Sequence, residues 1–195
     1  LYNQDLFDEA GLPYPPAAYG ELYVNADGEE QPWDINTLRE LALLLTVDAN
    51  GNDATMPEFD PENIVQWGFG QQFQELRGSA TLFGAGNFVD EEGNAIIPEH
   101  WRTAFNWYQD AMWEDGFYPT GPYGASTVLS EGNWFDSGNI AMVNTHLWYL
   151  TCCLTTLDAE WAVAPVPAFE GETTAKLHAG TFGILEGGQN PEEAF

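Results

Sequence analysis

Few residues in this chain have the type and spacing to do chemistry, and the histidines narrow the field first. His146 and His178 are distant in sequence with no nucleophile signature beside either, and His100 sits at a helix start next to Trp101, a surface or capping position. No nucleophile elbow, phosphate-cradling glycine loop or two-histidine helix occurs. The two cysteines are adjacent, Cys152 and Cys153, and with three scattered histidines they cannot assemble a zinc centre. Two readings of that pair stay open, a vicinal disulfide and two buried thiols. Asp48, Asn50 and Asn52 imitate the first half of a calcium loop, but Asp53 stands where that loop needs glycine and Phe59 where it needs glutamate. A plain Asx-rich turn is the favoured reading and no metal is expected. With 31 Asp and Glu in the chain, no glycosidase-like carboxylate pair can be singled out. The expectation is a non-enzymatic protein without a cofactor.

Rings and amides are more informative. Sugars present flat C–H faces that stack on aromatic rings and hydroxyls that need polar partners. Trp148 and Tyr149 follow the apolar run 140–144 in a loop with Asn144, Thr145 and His146, and loops beyond strand ends are where α/β folds place ligand contacts. The segment 71–78 is polar and mixed in hydrogen-bonding type, with Gln74, Glu75 and Arg77. Each has a plainer reading beside it: a tryptophan after a strand commonly belongs to the core, and an arginine in so acidic a chain is commonly an ion-pair partner.

The elements that would position these residues are readable from periodicity. Asp34 caps a helix whose stripe is Leu38, Leu41, Ala42 and Leu45, with Trp33 and Leu38 at the staple positions. Residues 64–69 and 140–144 read as strands, the second apolar enough for a sheet interior. A helix is expected from about Pro98 to Asp115, with Trp101, Phe105, Tyr108 and Met112 on one face and Gly116 ending it. A short helix is expected over 126–136, an apolar strand-like run over 1–7, and an edge strand at Trp161 leading to Pro165 and Pro167. Helices alternating with short strands mean α/β. Pro191 followed by two acids is a helix start near the end of the chain, which suggests a piece of something longer.

Charge sets further bounds. Four Lys and Arg against 31 acids give a net charge of −27 in 195 residues, so no basic face for nucleic acid or an anionic membrane can form. The hydrophobic fraction of 44% is too high for a disordered acidic tail. No run of about 18 apolar residues exists to span a membrane, and no signal peptide stands at Leu1.

The order of several short motifs resembles a known family. Tyr2-Asn3-Gln4-Asp5-Leu6-Phe7-Asp8-Glu9-Ala10-Gly11-Leu12 with Pro15-Pro16, Trp33 ahead of the amphipathic helix, and Asp60-Pro61 ahead of Trp67-Gly68-Phe69 come first. Phe135 with Gly138-Asn139-Ile140-Ala141-Met142, Trp148, Pro165/Pro167, Gly180-Thr181-Phe182-Gly183-Ile184 and Asn190-Pro191-Glu192-Glu193-Ala194 follow. Together they resemble the extracellular solute-binding proteins of carbohydrate ABC transporters, the group of maltose-binding protein. The resemblance implies a periplasmic-binding-protein-like fold of two lobes with the sugar between them. Residues 1–195 would form a single α/β domain, helices around a small mixed sheet, mostly the second lobe, with the first lobe outside the chain.

By that resemblance Trp148 takes the place of the family's stacking tryptophan, 74–77 that of a polar ligand-contacting loop, and Gly180 and Thr181 a place of close backbone approach. The implied function is capture of a sugar or oligosaccharide by an extracellular or periplasmic, membrane-tethered or secreted monomer that hands it to ABC permease subunits. The family's usual Gly-Pro before the tryptophan is His146-Leu147 here. Rival readings are a binding protein of the same family for a polyamine or peptide, and a secreted glycosidase fragment. The negative charge is read as suiting a neutral ligand.

Overall fold

The computed structural model describes residues 1–178, 180, 183–184 and 186–194. A five-stranded mixed sheet runs in the order β4 (Val47–Asp48), β5 (Ile64–Gln71), β6 (Ile140–Asn144), β1 (Tyr2–Asn3) and β7 (Trp161–Ala162). β5 and β6 are parallel, pairing Phe69 with Met142 and Gln71 with Asn144, while β4 and β1 run antiparallel to their neighbours. A two-stranded ribbon, β2 (Tyr23–Val24) and β3 (Glu30–Gln31), stands apart. The α/β class, with helices around a small mixed sheet, is as the sequence implies. Among the described residues no helix is long and apolar enough to cross a membrane.

α1 (Gln4–Glu9) replaces most of the strand expected over 1–7: only Tyr2 and Asn3 pair in the sheet, and the Asn3 side chain then accepts from Leu6 N–H and caps the helix. α2 (Ile35–Leu44) begins as expected, the Asp34 carboxylate accepting from Asn36 and Thr37 N–H at 2.8 and 3.0 Å. At its far end the Thr46 hydroxyl donates to Ala42 C=O at 2.7 Å and accepts from Gly68 N–H at 2.9 Å, tying α2 to β5. That approach needs glycine at 68, since a Cβ there would strike the Ala42 backbone.

α3 (Leu76–Ala80) follows β5, and α4 (Glu99–Trp113) buries Trp101, Ala104, Tyr108 and Ala111, with Phe105 and Met112 packed at the margin of the core. The expected helix over 126–136 is instead two 3-10 segments, Thr127–Gly132 and Phe135–Ser137, the first interrupted where Ser130 and Glu131 take left-handed φ values of 49° and 53°. Serine, threonine, valine and glycine are weak helix formers, and nothing in that stretch offsets them. α5 (Gly121–Gly124) precedes it, α6 (Tyr149–Cys152) follows β6, and α7 (Pro191–Ala194) starts at the expected proline.

Apolar side chains gather in two clusters. The larger includes Phe7, Leu38, Leu41, Phe69, Phe83, Trp101 and Tyr108. The smaller holds Trp67, Leu129, Phe135, Ile140, Val143 and Tyr149. β5, β6 and β7 all point the same way, so the segments leaving them, 72–78, 145–150 and 163–167, converge at one end of the sheet.

Candidate functional site

A cleft of about 480 Å³ opens at that end. Its floor is Phe69, Met142 and Tyr2, which lie side by side across three strands, and its walls come from the 145–150 loop, the start of α3 and the prolines Pro165 and Pro167. The Trp33 indole donates to Pro165 C=O at 2.8 Å and fixes the proline-rich wall against the start of α2.

Trp148 lines this cleft and is 48% exposed. Its ring lies nearly parallel to His146, 5.3 Å between centroids at 18°, and meets Phe73 at 5.4 Å. Phe73 is half-exposed and holds φ at 60°, a left-handed conformation costly for a bulky residue. A cross-loop bond accompanies it: His146 Nε2 lies 3.0 Å from Phe73 C=O. A carbonyl can only accept, so Nε2 carries the proton and Nδ1 is left to face other partners. The ring of His178 packs edge-on to His146 at 4.2 Å. Desolvation, with His146 and Lys176 adding to it, holds the His178 pKa below its ordinary value.

The polar groups at the ends of β5 and β6 divide sharply. Gln72 is buried and satisfied: its amide nitrogen donates to Gly132 C=O at 3.0 Å and its amide oxygen accepts from Phe135 N–H at 3.4 Å. Gln71, Gln74 and Thr145 are different. Both amide atoms of Gln71, which is 5% exposed, and the buried Gln74 Oε1 and Thr145 Oγ1 find no hydrogen-bond partner among the described residues. Gln74 and Thr145 line the cleft, and Gln71 pairs in register with cleft-lining Asn144, on the pleat shared by Phe69 and Met142. Unpaired buried polar atoms are costly, about 1–3 kcal/mol each, so a cluster of them beside an opening is a ready set of donors and acceptors for a hydroxylated ligand.

Of the residues singled out by sequence, Trp148, His146 and Gln74 meet in the cleft. Glu75 stands beside it as the cap of α3: its carboxylate accepts from Arg77 and Gly78 N–H at 2.9 and 3.0 Å and pairs with Lys176. Arg77 is exposed on α3 and Gly180 is exposed, both outside the cleft lining, and Thr181 lies outside the described residues. Tyr149 is a correction. It is fully buried in the smaller core, its hydroxyl donating to Asn133 and accepting from Asp136 N–H at 3.2 Å, and burial pushes its pKa up to about 12. The first turn of α6 swings it inward while leaving Trp148 at the rim.

The Asp48 loop closes on itself. Burial opposes the charge of the carboxylate, yet N–H groups of Asn52, Asp60 and Asn50 and the Asn52 amide, at 2.8 to 3.1 Å, outweigh it and hold the pKa below the usual carboxylate range. Donors occupy the oxygens a cation would need, and the Asn52 side chain turns its N–H₂ inward. Cys152 and Cys153 are joined in a vicinal disulfide at the end of α6. Within the flagged segment 71–78 the sequence reading gives no role to Gln71 and Phe73, and it sets His178 aside and does not weigh Lys176. The glutamine-rich run 71–74 was the available signal for the first two, whereas Lys176 and His178 arrive from a segment with no motif.

No family model and no curated protein sequence matches the chain. Among solved structures, the M. tuberculosis protein UspC, in a monoclinic crystal form, superposes with a TM-score of 0.67 at 24% identity over 89% of this chain. A maltose/maltodextrin-binding domain MalE from Bdellovibrio bacteriovorus, bound to maltotriose, gives a TM-score of 0.43 at 19% identity over 73% of this chain. The chain spans 42% of the length of the first and 29% of the second. The likeness to UspC is one of fold.

Proposed function

We propose that this chain is the ligand-binding lobe of an extracytoplasmic solute-binding protein that captures a sugar or oligosaccharide and delivers it to an ABC permease, without catalysing a reaction. The observation that carries the reading is the pairing, in one cleft, of the half-exposed Trp148 ring with Gln74 Oε1 and Thr145 Oγ1, which find no partner among the described residues, and Gln71 beside them. A ring for a C–H face beside unfilled amide and hydroxyl groups is the arrangement a saccharide completes. The order of the sequence motifs supports the same reading. A second lobe would cover the cleft, and ligand touching both lobes only when closed would bias the closed state that a permease could recognise.

The test is a tryptophan-fluorescence titration of the full-length protein with mono- and oligosaccharides, with spermidine and a peptide mixture as controls. A saturable response to one sugar class is expected. A response to spermidine or peptide alone would keep a binding role and overturn the sugar, and release of reducing ends from an oligosaccharide would replace binding with hydrolysis.

A further inference from the structure

The charge of this protein is segregated. Acids make up 31 of 195 residues, so a lining drawn at random from the chain would carry several, yet among the described residues no Asp or Glu lines the cleft. The cleft instead collects the chain's one lysine, Lys176, and two of its three histidines, His146 and His178. These groups form one cluster: the imidazoles pack at 4.2 Å, His146 lies flat on Trp148, and Lys176 is close enough to depress the His178 pKa. Charge this lopsided shapes the potential at short range inside a walled cleft, while the field of the exposed acids fades over about 8 Å at physiological salt.

We infer that the ligand of the cleft is an anionic saccharide, a sugar bearing a carboxylate or an ester sulfate, with its anionic group at His146, His178 and Lys176 and its ring face on Trp148. This rests on the saccharide reading above and narrows it, replacing the neutral ligand that net charge alone suggests. Glu75 does not contradict it. It stands outside the lining, two backbone N–H groups donate to its oxygens, and the Lys176 ammonium that pairs with it keeps two further N–H donors for a ligand. His146 contributes Nδ1, since Nε2–H is committed to Phe73 C=O. The lining also holds the phenols of Tyr2 and Tyr19 and the amino group of Leu1, whose pKa burial pushes down to about 5. Protonation of His178 as pH falls would favour an anion beside it.

The experiment is calorimetric titration of the full-length protein with matched pairs: a galacturonate oligomer against the neutral galactose oligomer, and glucose 6-sulfate against glucose, at pH 5.5 and 8 and at low and high salt. An anionic member is expected to bind at least tenfold more tightly than its neutral counterpart, more tightly still at pH 5.5, and less tightly as salt rises. The uronate and sulfate arms tell the two anions apart. Lys176→Gln and His178→Gln, at the cleft mouth and outside the core, should each weaken the anionic ligand about tenfold or more with thermal melting unchanged, and His178→Gln should flatten the pH profile. A neutral sugar bound as tightly as its anionic partner overturns this inference and leaves the saccharide reading standing. Failure of every sugar, with or without a response to spermidine or peptide, overturns both.

Discussion

Trp148→Ala offers the most direct test of the cleft, because the structure separates what the ring does for the fold from what it offers a ligand. A tryptophan presents about 150–250 Å², and at 48% exposed roughly 100 Å² of this one faces solvent. A sugar covering between half and all of that would remove about 50–100 Å² from water, about 1.25–2.5 kcal/mol at 25 cal/mol per Å². The corresponding loss of affinity is about 8-fold to 70-fold. The buried half, against His146 and Phe73, sets the cost to the fold at about 2.5 kcal/mol, a fall in Tm of about 5–10 °C. Isothermal titration with whichever sugar binds the wild type, beside a melting curve of the same sample, reads both quantities. Trp148→Phe, which keeps a flat ring, should recover most of the affinity. Affinity within twofold of wild type together with a clear fall in Tm would show that the ring is packing alone, and the cleft would have to be occupied without it.

Three further outcomes follow from packing and charge elsewhere. Asp136 is buried, with three backbone N–H groups of Thr155, Thr156 and Leu157 and two threonine hydroxyls on its carboxylate. Burial alone would raise its pKa, but those donors prevail and lower it to about 2. The folded value lies below the unfolded value of about 3.9, so its contribution is fully present above pH 4 and fades as pH falls towards 2. Asp136→Ala should cost about 3 kcal/mol at neutral pH by stranding those N–H groups, and acid titration followed by circular dichroism should show the variant losing its excess instability at low pH. Gly68→Ala should fail to give a cooperatively melting protein, because its Cβ meets the Ala42 backbone where α2 crosses β5; a normal melting curve would mean that the crossing can open. The Cys152–Cys153 bond closes a ring of two residues and constrains little unfolded chain, so reduction should lower stability by only about 1 kcal/mol, and alkylation mass spectrometry should find no reactive thiol before reductant is added.

The parts of the fold legible in sequence are those in which a local signal and the tertiary structure agree. Asp34 and the Leu38, Leu41, Ala42, Leu45 stripe specify α2, and the apolar run Ile140–Val143 specifies a strand buried on both faces. The apolar start of the chain misleads because Asn3 can either continue a strand or cap a helix, and Leu6 and Phe7 suit either. The Ser126–Asp136 stretch misleads because its turns are held by tertiary bonds, such as Gln72 to Gly132 and Asn133 to Cys153 C=O at 2.9 Å, which periodicity does not register. At the site, an aromatic after a strand end finds Trp148 but cannot tell it from Tyr149, one residue on and facing the core. Lys176 and His178 reach the cleft only because the chain returns there some 30 residues after Trp148, a contact no local pattern encodes.

The glutamines at the end of β5 argue for the proposed binding role of the cleft. Two neighbours of the same type, Gln71 and Gln72, leave the same strand, both almost wholly buried. Gln72 is used by the fold, bridging to Gly132 and Phe135 and so pinning the turns beneath α6. Gln71 spends a buried amide on nothing within the described residues, and Gln74 Oε1, three residues on, and Thr145 Oγ1, just past the neighbouring strand β6, repeat that expense. A chain selected for stability alone would place leucine or valine there, since an apolar side chain of similar volume avoids the penalty. The strained Phe73 backbone, between Gln71 and Gln74, adds a second local cost in the same segment. Costs concentrated at one end of a sheet, beside an exposed ring and the chain's scarce basic groups, are expected where sequence serves binding at the expense of folding. Replacing Gln71 with leucine should therefore raise Tm while lowering ligand affinity, two opposite responses from one substitution that an amide serving only the core could not produce.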